Sequence, residues 1–226
     1  PITHMSIRAQ KGGVLSEART DALPDGLCNL AIHRAALHEV LLSQLAPGQV
    51  IAGKGSAGIS QEADQYTISF EDGTQTESKY LIVAAGIHSA IRRKIVPHAR
   101  IRYSGYTCWR GIAPNGDLEI TGASETWGAN GRFGIVPIGN GQIYWFATKN
   151  APAGSPEMSA YRNAELLDNF RNYHDPIGEV IRRTPVVQIL WNDIIDLEPV
   201  QRYAFDNLVL IGDTAHATTP NMGQGA

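Results

Sequence analysis

The alternation of apolar and polar positions divides the chain into short strands, one amphipathic helix and a long β-rich stretch. MSIRAQKGGVLSE, from Met5 to Glu17, reads as a hairpin. Its two short strands flank Lys11-Gly12-Gly13, whose glycines supply the positive φ of a tight turn. In AIHRAALHEVLLSQL the apolar residues Leu37, Val40, Leu41 and Leu45 recur at i, i+3, i+4 spacing. That spacing predicts a helix ending before Pro47-Gly48. Strands are predicted at QYTISFED and TQTESKYLIVAAG, on either side of the turn-forming Asp72-Gly73. The unbroken apolar run YLIVAA predicts a strand buried on both faces of a parallel sheet.

After Pro97 the texture changes. Between Ile101 and Pro199 lie four β-rich runs, IRYSGYTCWRGIA, RFGIVPIG, QIYWFATK and VVQILWNDI. One helix is predicted among them, SAYRNAELLDNFRNY, with Pro176 beyond its end. QRYAFDNLVLIGD then returns to the texture of YLIVAA. The expected fold class is α/β with mixed α+β character. An incomplete Rossmann-like domain, residues 1–100 and 200–226, is interrupted by an antiparallel β-sheet domain over 101–199.

Composition narrows the function classes. At 43% hydrophobic and 18% charged, the 226 residues can fill a globular core, which excludes a disordered chain. A net charge of −3 and a pI near 6.2 give no sign of a nucleic-acid or anionic-membrane partner. No window reaches the roughly 20 apolar residues of a membrane span. Cys28 and Cys108 stand far apart, as reduced thiols would in a cytoplasmic protein. His33 and His88 stand singly, so no metal site is expected. Pro1 opens the chain in place of Met, and GQGA would open a helix that does not follow; an internal piece of a longer protein is expected.

Candidate chemistry concentrates in LVLIGDTAHATTPNMGQGA, Leu208 to Ala226. A buried strand ending on Asp213 puts a carboxylate at the carboxyl edge of a sheet, where α/β folds bind ligands. An ionised carboxylate only accepts hydrogen bonds, so a sugar-like hydroxyl is its natural partner there. Gly223 and Gly225 leave backbone N–H groups open at an apparent helix start, which favours an electron-rich ligand edge. The alternative is that Gly212-Asp213 is a turn and Asp213 an N-cap.

NLVLIGDTAHATTPNMGQGA resembles the second FAD motif of the group A, para-hydroxybenzoate hydroxylase-like flavoprotein monooxygenases. AIHRAALHEVLL is similar to their Arg-x-x-Leu helix, with Arg34 and Leu37 at the motif positions. YLIVAAGIHSAIRRKIVP is similar to their Asp-Gly motif and its Ser and Arg, here Ser89 and Arg92. YSGYTCWRGIAP resembles the first substrate-domain strand of the zeaxanthin epoxidase-like and urate hydroxylase-like branch. The resemblance implies that residues 1–100 and 200–226 form parts of an FAD-binding domain and that 101–199 binds substrate. Gly212 and Asp213 would meet a ribityl hydroxyl. Pro220, Gly223, Gln224 and Gly225 would run along the isoalloxazine, and Arg34 would reach the flavin, although alone it would read as an exposed helix arginine. His216 would serve packing.

There are two departures. Ala85 stands where the family has an acid before Gly86, and that acid helps organise the cofactor and nicotinamide region. No Gly-x-Gly-x-x-Gly follows a strand near the start, so the ADP-binding βαβ unit and the C-terminal helices of the family are not expected in this chain.

The implied activity is an FAD-dependent monooxygenase, a hydroxylase or epoxidase using NAD(P)H and O2 through a flavin C4a-hydroperoxide. Its substrate would be an aromatic or unsaturated small molecule. Pocket candidates are Tyr106, Trp109, Arg110, Phe133, Tyr144, Trp145 and Phe146. Strand alternation puts Tyr144 and Phe146 on one face and Trp145 on the other. At least half of these aromatics are expected to be sheet core. Arg110 either meets an anionic substrate or forms a structural ion pair. Other readings are a non-catalytic remnant that binds a ligand, or a related reductase or halogenase; the halogenase Trp-x-Trp-x-Ile-Pro signature is absent. The catalytic base, the substrate and the oligomeric state stay open.

Overall fold

A computed structural model describes residues 2–19 and 29–222, in two compact units. One unit takes Pro1–Gln44 and Gly105–Asp193, and the other takes Leu45–Ser104 and Ile194–Ala226. This partition differs from the expected one at its start, because the N-terminal hairpin groups with the β-rich stretch.

The first unit is built on a seven-stranded sheet. Its strand order is Leu190–Leu197, Ile101–Pro114, Gln142–Asn150, Gly131–Gly139, Ala123–Gly128, His4–Ala9, Val14–Arg19. The hairpin forms as predicted: Gly12 N donates to Ala9 O, and Gly12 takes φ +93°. Strands 101–114, 142–150, 131–139 and 123–128 pair antiparallel as expected, and strand 4–9 extends their sheet by joining 123–128 in parallel. The predicted single helix is broken in two, Pro156–Ala160 and Asn163–Asn169. At the break the Arg162 backbone N–H donates to Glu165 Oε2 at 2.8 Å, a local bond that starts a new helix instead of continuing the old one.

These helices and a third, Ile177–Arg183, cover one face of the sheet. Trp109, Phe133 and Trp145 are fully buried there with Leu166, Phe170, Ile177, Val180 and Ile181. Both indole N–H groups are satisfied: Trp109 Nε1 donates to Met158 O at 2.9 Å and Trp145 Nε1 to Thr184 Oγ1 at 2.8 Å. Without those partners each burial would carry a desolvation cost.

The second unit holds two three-stranded sheets. Ser56–Glu62, Gln65–Phe70 and Gln75–Ser78 form an antiparallel meander, turned at Asp72-Gly73 as predicted. Gly53, Gly55 and Gly58 have the spacing of a dinucleotide fingerprint, but their stretch runs into a strand and opens no helix. Leu208–Leu210 pairs in parallel with Leu81–Val83. Ile59, Tyr66, Ile68, Val83, Leu208 and Leu210 share one core, and Tyr66 Oη donates to Phe205 O across it at 3.2 Å. The expectation of burial on both faces fails for 81–83. Val83 is buried but Ile82 is 67% exposed, since only one face of this strand is covered among the described residues. The helix Arg34–Leu42 likewise buries none of its residues, although Leu37, Val40 and Leu41 fall as predicted. No helix of the described residues is long and apolar enough to cross a membrane.

Candidate functional site

In the second unit the parallel pair ends where its loops converge. Ile211 N donates to Val83 O at 3.0 Å, and Gly212 then turns at φ +56°, a conformation that favours glycine. Asp213 opens the short helix Asp213–His216 with an exposed carboxylate that has no partner among the described residues. Behind it Thr214 is fully buried, and its Oγ1 donates to Gly86 O at 3.3 Å. That bond ties together the loops leaving the carboxyl ends of both strands. Such a carboxylate fits a hydroxyl-bearing ligand at this edge. His216 packs edge-on to Tyr203, with ring centroids 6.3 Å apart. Pro220 starts a single turn, Pro220–Met222, while Gly223, Gln224 and Gly225 lie outside the described residues.

Ser89 caps the helix Ala90–Ile95 by accepting from Arg92 N at 3.1 Å. Arg92 is buried, and its Nε and Nη1 find no partner among the described residues. Burial, and then the neighbouring Arg93 charge, hold its guanidinium below the usual range. Ala85, in place of the motif acid, is exposed. Arg34 belongs to the first unit. It is the first residue of the 34–42 helix, exposed and without a side-chain partner among the described residues. The preceding His33 caps that helix by accepting from Ala35 N at 3.2 Å.

The sheet face opposite the helices carries the remaining candidates, and the strand registers order them into rows. Arg110, Phe146, Gly134 and Glu125 form one row across four strands. Cys108, Thr148, Arg132 and Trp127 form the next. Tyr144 precedes Phe146 by two residues on the same face, its ring centroid 6.3 Å away. The alternation reading therefore holds: Tyr144 and Phe146 are half-buried on the open face, while Trp145 is in the core. Trp109 and Phe133 prove to be core as well. Arg110 is half-buried, and its Nη2 donates to the Asn192 side-chain oxygen. A structural ion pair for Arg110 is not formed among the described residues.

Burial pushes the Tyr144 hydroxyl up to about 12, with the nearby Cys108 adding to the rise and the Arg110 charge opposing it. Burial likewise pushes the Cys108 thiol up to about 11, against the opposing Arg110 charge. At neutral pH this patch thus presents one cation, a protonated phenol and a neutral thiol. Cys108 and Asn192 were missed from the sequence. Cys108 could have been found, since it lies two residues from Arg110 on the same strand face.

Residues 42–226 match the family model described as FAD binding domain. The chain is 39% identical over 197 residues to aurachin C monooxygenase/isomerase of Stigmatella aurantiaca, covering 87% of this chain and 51% of the relative. It is 31% identical over 229 residues to 2-heptyl-3-hydroxy-4(1H)-quinolone synthase of Pseudomonas aeruginosa, covering 100% of this chain and 60% of the relative. The structure of Klebsiella pneumoniae HpxO complexed with FAD and uric acid superposes with a TM-score of 0.89 at 27% identity. That match covers 100% of this chain and 59% of HpxO. The chain thus spans from 51% to 60% of the length of these proteins.

Proposed function

Because the chain belongs to the FAD binding domain family, we propose that the protein is an FAD-dependent monooxygenase. It hydroxylates or epoxidises a small aromatic or unsaturated substrate with NAD(P)H and O2. FAD, when bound, would supply the redox chemistry that draws on NAD(P)H and O2. Asp213, presented by the Gly212 turn, accepts from a ribityl hydroxyl. On the same reading Arg34 would donate to the flavin.

One observation carries the substrate half of this reading. Arg110 keeps a positive charge on the open sheet face with a neutral amide, and no acid, as its partner among the described residues. It can therefore hold an anionic or strongly polarised substrate oxygen. Tyr144 stays protonated and donates a second hydrogen bond, while Phe146 supplies a flat wall. Together they orient a planar ring and help keep water from it. The relatives named for quinolone and aurachin chemistry, and HpxO with uric acid, are in keeping with a planar substrate carrying such an oxygen.

A second reading is a ligand-binding relative without turnover, favoured by Ala85 in place of the motif acid. The visible spectrum after FAD addition and gel filtration, followed by NAD(P)H oxidation with hydroxyquinolines, separates the two. The monooxygenase reading expects retained flavin absorption and substrate-dependent oxidation with an oxygenated product. Retained flavin without product would support the binder, and a colourless protein would overturn both flavin readings.

A further inference from the structure

Arg132 and Arg110 both belong to the open face, and their partners differ in charge. Arg132 Nη1 donates to Glu125 Oε1 at 3.1 Å, so a carboxylate matches its charge. The same Oε1 accepts from Trp127 Nε1 at 2.9 Å. In its row Glu125 stands three strand spacings from Arg110, roughly 14 Å away, and does not serve it. Arg110 Nη2 donates instead to Asn192 Oδ1, and Arg110 meets no acid among the described residues.

Asn192 is itself held by a buried bond. Thr107, on the neighbouring strand 101–114, is fully buried, and its Oγ1 donates to Asn192 O at 3.1 Å. The partner of Arg110 thus comes from strand 190–197, which lies at the edge of the sheet.

The chemistry of that partner decides what the guanidinium can do. A guanidinium only donates, so the oxygen end of the amide has to face it. That oxygen fixes the direction of the fork and leaves its charge unmatched. A carboxylate at the same position would fix the direction as well, but it would cancel the charge and repel an incoming anion. Amide and acid have nearly the same size and shape. Only their charge separates a site that takes an anion from one that refuses it.

We propose that Asn192 is a positioning residue that sets the charge preference of the open face. Holding Arg110 through a neutral amide, it makes the site select an anionic planar ligand over its neutral isostere. This inference rests on the reading of the open face as the substrate side, and it adds the residue that decides which charge is admitted.

The test is equilibrium dialysis at neutral pH, with FAD present and without NAD(P)H, against 2-naphthoate and 2-naphthamide. These two share a shape and differ by one charge. The wild type should bind the carboxylate about tenfold more tightly than the amide. Asn192→Asp should abolish that preference by weakening the carboxylate alone, with a melting temperature no lower than that of the wild type. Asn192→Ala should keep about a threefold preference, because the charge of Arg110 stays while its direction is freed. Arg110→Gln should show no preference.

A merely structural role would move both ligands together, so a parallel loss of both in Asn192→Asp would overturn the proposal. A preference that survives in Asn192→Asp, yet is lost in Arg110→Gln, would overturn the role of Asn192 and leave the substrate face standing. Equal affinities for the two ligands in the wild type would overturn both. A preference that follows residue 192 as expected, in a protein that oxygenates no aromatic substrate, would support the proposal and count against the monooxygenase reading alone.

Discussion

The two faces of the seven-stranded sheet draw on the same strands and use their aromatic residues in opposite ways. On the helix-covered face Trp109, Phe133 and Trp145 are fully buried, and Phe133 and Trp145 stack at a centroid distance of 5.3 Å. On the other face Tyr144 and Phe146 remain half-buried beside Arg110, although each is the immediate sequence neighbour of Trp145. Ring content alone therefore does not mark a binding surface. What separates the faces is the treatment of polar atoms. In the core the indole N–H groups of Trp109 and Trp145 have internal acceptors, whereas on the open face a guanidinium and a phenol are left with hydrogen bonds to give.

That contrast can be broken from the core side first. Trp145→Ala removes a fully buried indole and its bond to Thr184, and should cost about 3–5 kcal/mol in urea unfolding. Gly134→Val would drive Phe146 from its seat. The ring is half-buried and can move, so the stability loss should be nearer 1 kcal/mol, while affinity for a planar ligand falls. Arg110→Gln sharpens the contrast further. It should leave unfolding within about 0.5 kcal/mol of wild type, because it breaks only a bond to an exposed asparagine.

The smallest effect concerns pH. Tyr144 is raised from 10.0 to about 12 and Cys108 from 9.0 to about 11, so both hold their protons more tightly folded than unfolded. Their contribution to stability is complete below pH 9 and is lost as pH rises through 11 and 12. Thermal melts should fall over that window, with the upper part flattened in Tyr144→Phe. The same shift predicts that Cys108 reacts with iodoacetamide at pH 8 far more slowly than free cysteine does.

Much of this contrast was legible in the sequence, because a period of two residues is all that is needed to put Tyr144 and Trp145 on opposite faces. The N-terminal hairpin and the turn at Asp72-Gly73 were legible for a similar reason, since their φ requirements are local. Long-range choices were not. Nothing in the residues of strand 4–9 says that it joins strand 123–128 in parallel, and nothing in YLIVAA says that one side of Ile82 is uncovered. At the site, Arg110 could be named but its lack of an acid partner could not, because that depends on strand 190–197 bringing Asn192 beside it. Glu125, Trp127 and Arg132 form a group that hairpin register could have revealed: an i, i+2 pair, with Arg132 opposite Trp127 across a tight turn.

The central claim is that the open face binds substrate and the covered face holds the fold. The most direct measurement compares wild type and Arg110→Gln side by side, for melting temperature and for affinity of the FAD-loaded protein toward a hydroxyquinoline. The account predicts an unchanged melting temperature with affinity about tenfold weaker. Equal affinities, or a loss of affinity matched by a lowered melting temperature, would contradict it.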